Sequence, residues 1–192
     1  MSENAPAGHP QTIATPRLSL VAATASLVRA EIEDLPRFFR LLGVQPRSDW
    51  PPEDVRDALP FFLEELETRP RLAGWLSWYW ILRADAAASS ADEGPRILVG
   101  SGGFKGLPVD GVVEIGYHVL APYRRRGYAT EAVGALLGWA LQHEGVQGVV
   151  AETAEENVPS LALLARLGFE RAADPDSEGM LRLVLWAGGR GR

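Results

Sequence analysis

The sequence predicts a single-domain α/β fold in which helices flank a mixed, mostly antiparallel sheet. A length of 192 residues suits one domain. Apolar residues make up 46% of the chain and charged residues 23%, enough of the first for a core and an ordinary share of the second. The apolar pattern also changes along the chain. It runs from a strand and helices to three strand-like runs, then to a helix, a strand, a helix and two strands.

Residues 1–14 are polar and rich in Pro and Gly, and are expected to form a disordered tail before a domain spanning 15–186. Residues 17–22 alternate, with Leu18, Leu20 and Ala22 on one side, as a first strand does. Thr24 or Ser26 is positioned to cap a helix reaching about Leu42, and Pro36 marks a break in it or the start of a second helix. Residues 43–52 form a turn-rich loop with Trp50 at its end. Residues 52–69 have helical spacing, with Asp49 as a candidate cap and Pro60 inside. The runs 75–83, 97–105 and 112–120 read as an antiparallel meander, with a small, polar loop at 84–95. Helices are expected at 127–144 and 159–167, and strands at 148–153, 169–173 and 181–186. Residues 187–192 read as a loose tail.

Composition excludes several chemistries. With no cysteine there is no disulfide, thiolate metal site or cysteine nucleophile, and three scattered histidines lack zinc-ligand spacing, so no metal is expected. The start lacks the basic and apolar regions of a signal peptide. No apolar run approaches the ~20 residues of a membrane span. A cytoplasmic protein without membrane contact is the expectation. A net charge of −6 disfavours nucleic acid as a partner and is compatible with a cationic substrate. Lys105 is the only lysine, a bias of composition without functional content. The glycines at 100, 102 and 103 fit neither a Walker loop nor a dinucleotide fingerprint, and no Gly-x-Ser-x-Gly elbow is present.

The informative stretch is 114–132. A strand ends near Leu120, a short loop follows, and a helix starts near Gly127. The first N–H groups of a helix have no partner within it, and its dipole favours an anion there. Gly127 lets backbone approach a ligand closely. Arg124, Arg125 and Arg126 place positive charge where a phosphate would lie. Spacing alone leaves a solvated basic turn as an equal alternative.

Arg124-x-x-Gly127-x-Ala129 resembles the acetyl-CoA motif Arg/Gln-x-x-Gly-x-Gly/Ala of the Gly-N5-acetyltransferase-related (GNAT) superfamily. Thr130-Glu131-Ala132 is similar to its ribosomal-protein alanine N-acetyltransferase branch. Downstream, Asn157-x-x-Ser160 and Gly168-Phe169 resemble the family's next motif. The resemblance spans about 15–186 and implies a GNAT-like domain using acetyl-CoA. It implies cofactor contacts at Val119, Leu120, Arg124, Arg125, Arg126, Gly127, Tyr128, Ala129, Thr130, Asn157 and Ser160.

It also implies acetyl transfer to an amine, either a protein N-terminus or a small molecule. With no cysteine, direct attack is favoured over an acyl-enzyme. By alternation Glu114, Gly116 and His118 share one face of the strand. A bulge, which the resemblance implies, would separate Glu114 from His118. Glu114 is the expected base, with a surface ion pair as its alternative. His118 is an acceptor-side or packing residue. Trp50 is expected to wall the acceptor site, since an indole in a Pro-rich loop is available to a ligand. Many family members carry a tyrosine seven residues after the motif asparagine; here Leu164 takes that place. Ser160 then stands as a proton relay, a cofactor contact or a helix cap, and Tyr123 and Tyr128 are further hydroxyl candidates. A non-catalytic acyl-CoA sensor or interaction module is the alternative function. Oligomeric state, including a homodimer, is left open.

Overall fold

The computed structural model describes residues 10–83, 96–172 and 179–188. The chain opens on β1 (Thr12–Ala14), so the sheet begins inside the segment expected to be a tail. β2 (Leu18–Ala22) follows, then α1 (Ala25–Glu33) and α2 (Leu35–Leu42). Thr24 caps α1 through the Leu27 N–H, and Asp34 caps α2 through the Arg37 N–H. Pro36, in the first turn of α2, fits a new helix start, where its missing N–H breaks no bond.

α3 (Glu53–Thr68) starts without a side-chain cap; Asp49, the expected cap, is held by Arg47 instead. Acidic Glu53 and Asp54 in its first turn suit the positive helix end. β3 (Ser77–Leu82), β4 (Ile97–Phe104) and β5 (Val112–Val119) form the expected antiparallel meander. α4 (Tyr128–Ala140), β6 (Gly148–Ala154), α5 (Val158–Arg166), β7 (Glu170–Arg171) and β8 (Met180–Trp186) complete the chain. α4 stops before the expected 144, where Leu141 leads into turns through His143 and Gly145. The loop expected at 84–95 and the end of the strand expected to reach Ala173 lie outside the described residues, as do 1–9 and 189–192.

The sheet order is β1-β2-β3-β4-β5-β6-β8-β7, antiparallel except between β5 and β6. One face carries α1–α3 and the other α4 and α5. Tyr79 of β3 meets Phe38 of α2 and Glu31 of α1, whereas its neighbour Trp78 meets Trp139 of α4. Phe104 also stacks on Trp139, so its cross-strand partner Ile115, and with it Tyr117 and Val119, faces α4 and α5. Glu114, Gly116 and His118 face α1–α3. The register of β5 against β4 is unbroken from Ile115 to Val119. The bulge expected in β5 instead lies between β3 and β4, where Trp80 pairs with Gly100 and Ile81 with Leu98. Glu114 and His118 therefore stay on one face. No helix among the described residues is long and apolar enough to cross a membrane, and no group of metal-ligating side chains is found there.

Candidate active site

The site starts where two parallel strands part. β5 and β6 pair only over Val112–Glu114 and Gly148–Val150. Beyond that point β6 stays with β8 and β5 with β4, leaving a fork between them. Glu114 O accepts from Lys105 N and Leu120 N donates to Val99 O, so even-numbered positions of β5 direct their backbone groups to β4. By alternation, Tyr117 and Val119 direct theirs into the fork. Leu120 was expected among the cofactor contacts, but its N–H is bonded to Val99 O, its carbonyl accepts from Tyr123 N, and its side chain is buried.

The loop from β5 to α4 is built to present N–H groups. A short turn (Ala121–Tyr123) leads to Arg124, whose Nε donates to Val119 O at 2.8 Å. Arg125 has φ 61° and Gly127 φ 79°, two left-handed residues that turn successive N–H groups to one side. The amides of residues 125–130 find no acceptor among the described residues. An added Cβ at Gly127 would be strained by its φ and would meet the Arg17 guanidinium at 3.3 Å. The side chains of Arg124, Arg125 and Arg126 are exposed around this nest.

The turn between β1 and β2 braces the nest. Glu131, the acid in the first turn of α4, accepts from Thr15 Oγ1 at 2.6 Å and from Arg17 N and Nε at 2.7 Å each. Burial pushes its pKa up, but these hydrogen bonds together outweigh that and hold the carboxyl below its usual range. Arg17 also donates to Arg126 O and lies over the Tyr128 ring, 4.7 Å from its centroid. Tyr128 is thus covered and Glu131 neutralised, leaving the backbone and the three arginines as the anion-facing groups. Ala129 and Thr130, half-buried in the first turn, contribute their N–H groups.

On the α1–α3 side of the fork, Glu114 is half-buried and ion-paired with Lys105. The surface ion pair expected as its alternative role is thus present, made by the chain's one lysine. His118 Nδ1 lies 2.9 Å from Asp54 Oδ2 of α3, which fixes the ring. Trp50 is not beside them. It is 2% exposed, its Nε1 donates to Glu31 at 2.8 Å, and its ring stacks on Phe38. The expected acceptor wall is therefore a core residue: a buried carboxylate satisfies the indole N–H, and aromatic neighbours cover the ring. The loop before it is tied down by Arg47, which pairs with Asp49 and donates to Leu98 O and Tyr123 Oη, both at 3.2 Å. The Tyr123 ring lies within 5.1 and 5.8 Å of the guanidiniums of Arg47 and Arg126.

On the α4–α5 side, Asn157 caps α5: its Oδ1 accepts from Ser160 N at 3.3 Å. Ser160 is thus capped rather than capping. Its Oγ lies 2.7 Å from Tyr117 Oη. Burial raises the Tyr117 pKa, and the bond to Ser160 opposes that rise. Sequence reasoning missed Tyr117, Arg17, Arg47 and Asp54. Alternation gave the face of Tyr117, but nothing local told which helix it meets.

A forked sheet with a backbone nest at the following helix marks an acyl-CoA-type transferase fold, and the comparisons agree. The acetyltransferase (GNAT) domain family matches residues 26–170, and the chain belongs to that family. It is 32% identical over 156 residues to the uncharacterized N-acetyltransferase YjdG of Bacillus subtilis (strain 168), covering 81% of this chain and 87% of that one. Ribosomal-protein-S5-alanine acetyltransferase from Vibrio fischeri is a solved structure with TM-score 0.58 and 14% identity, covering 93% of this chain and 97% of that one. Mycobacterium smegmatis RimJ, solved in complex with CoA-disulfide, has TM-score 0.57 and 18% identity, covering 94% and 90%. These two are likenesses of fold. The chain is a GNAT N-acetyltransferase, and acetyl-CoA is the acetyl donor of its family.

Proposed function

We propose that this enzyme moves acetyl from acetyl-CoA to a primary amine, on a protein N-terminus or a small molecule, by direct attack inside the β5–β6 fork. The observation that carries the reading is the run of amides at 125–130 that find no acceptor among the described residues, at the helix end beside the fork. Those amides, with Arg124, Arg125 and Arg126, suit the pyrophosphate. The Val119 and Tyr117 amides suit the arm of the donor and its carbonyl oxygen, where charge develops during attack. The exposed Asn157 amide lies across the fork from them.

The acceptor enters from the α1–α3 face, where Glu114 and His118 stand. A lysine-like amine is almost wholly protonated at neutral pH, with roughly one molecule in a few thousand as free base. Glu114 takes the proton. Its ion pair with Lys105 favours this role, because the carboxylate already holds a primary ammonium that an incoming one can displace. The pair is surface-accessible and worth little, so exchange costs little. His118, oriented by Asp54, lines the approach.

The test is thiol release from acetyl-CoA across an amine panel of peptides with different N-termini and small polyamines. Wild-type turnover is expected with at least one class. Glu114→Gln should lose roughly 10²–10⁴-fold in rate while binding acetyl-CoA normally. An unchanged rate and pH profile would assign the proton to another group.

A further inference from the structure

Thioester cleavage leaves a thiolate, and the helix position that would serve it with a tyrosine holds Leu164, fully buried in the core. One helical turn earlier on the same face of α5 stands Ser160, with Tyr117 Oη against its hydroxyl at 2.7 Å. These hydroxyls come from the two elements that flank the fork on its α4–α5 side. Both residues are half-buried.

Their placement is enforced from several sides. The Asn157 cap fixes the first turn of α5 and so the Ser160 backbone. Tyr117 pairs across the ladder with Gly102, where an added Cβ would come 2.8 Å from Tyr117 Cβ and 2.6 Å from the Trp80 ring. Glycine there lets the buried indole lie against the root of Tyr117. Of the other two tyrosine candidates, Tyr123 Oη accepts from Arg47, and the Tyr128 ring is covered by Arg17.

We propose that Tyr117 and Ser160 act as a hydroxyl pair that protonates the leaving thiolate, the strand supplying the acid that the helix lacks at Leu164. This rests on acetyl-CoA occupying the fork as described above. The amine lone pair forms the new N–C bond to the acetyl carbon. The C–S bond breaks, and its electron pair stays on sulfur. Ser160 gives its hydroxyl proton to sulfur and receives the proton of Tyr117. The net acid is the phenol, whose ordinary pKa of about 10 is far closer to that of a thiol, about 8.5, than a serine hydroxyl's is. Burial keeps the phenol protonated in the resting site. The ammonium gives one proton to Glu114 before attack, the nitrogen gives its second by the same route to solvent after the N–C bond forms, and the phenolate regains its proton from water.

The chain has no cysteine, so CoA carries the only thiol of the complex. Its ionisation is read from the pH dependence of alkylation by a small haloacetamide, with CoA bound to wild type, Tyr117→Phe and Ser160→Ala. Each variant removes one oxygen atom, and calorimetry establishes CoA occupancy first. Hydrogen bonds to a thiolate lower its pKa. The wild-type complex should titrate about one unit below free CoA, and each variant should lose most of that roughly tenfold shift while CoA affinity is kept. Equal midpoints in all three complexes with CoA bound would overturn the donor pair and leave the binding site standing. A wild-type protein that binds no CoA would remove the occupancy, and the donor pair with it.

Discussion

Glu31 is an acid whose ionisation folding changes strongly. It lies in α1 with 2% exposure and accepts hydrogen bonds from Trp50 Nε1 and Tyr79 Oη. Desolvation pushes its carboxyl up to about 7, against the pull of those two bonds. An acid whose pKa is higher in the folded state holds its proton more tightly there. Its stabilising contribution is therefore complete below the unfolded value of 4.5 and is lost as pH rises to about 7. The loss amounts to about 3 kcal/mol, since one unit is about 1.4 kcal/mol. Glu31→Gln keeps the shape and a hydrogen-bonding head but cannot ionise. Urea unfolding of both proteins at a series of pH values should show wild type losing that amount relative to the variant across the window, then no further change. A constant difference would mean that Glu31 ionises as an exposed acid does. None of this was legible in the sequence, because the partners stand 19 and 48 residues away.

At the scale of elements, the segment between α2 and α3 is a structural brace. Trp50 fills the space between Phe38 and Tyr79, with ring centroids at 6.4 and 6.3 Å. Trp50→Ala should therefore destabilise the fold by about 3–5 kcal/mol, as other large-to-small aromatic changes in cores do. Thermal unfolding would show it, while the Michaelis constants for amine and acetyl-CoA stay near wild type at low temperature. A raised amine constant with unchanged stability would return Trp50 to the acceptor wall. A Pro-rich loop suggested exposure, but the indole N–H had a buried acceptor that no local pattern revealed. Helices α1 to α5 were legible because their signals are local, α3 spanning Glu53–Thr68 where 52–69 was expected. Thr24 and Asp34 cap, Pro36 restarts the helix, and Gly127 and Asn157 stand at helix N-termini. The helix expected to reach 144 ended at Ala140 because apolar periodicity does not encode the turn after it.

For the whole molecule, the sequence delivered two motifs and left the space between them unseen. The nest at 125–130 and the cap at Asn157 are each contiguous, so spacing exposed them. The fork is a property of the sheet: it exists because β5 and β6 pair over three positions and then follow different neighbours. Tyr117 with Ser160, 43 residues apart, and His118 with Asp54, 64 apart, are joined only by that topology. Likewise β1 was read as tail because three residues carry too little periodicity, and its pairing to β2 supplies the order. Arg17 then links this sheet edge to the nest through Glu131 and Arg126.

Donor binding at the nest is tested by calorimetric titration of acetyl-CoA into wild type and Gly127→Glu. One site per chain is expected in wild type. No measurable binding is expected in the variant, where a side chain at φ 79° and a carboxylate both intrude on the anion nest. Unfolding measurements on the same samples establish that the variant is folded. Equal affinity in the two folded proteins would contradict donor binding at this loop.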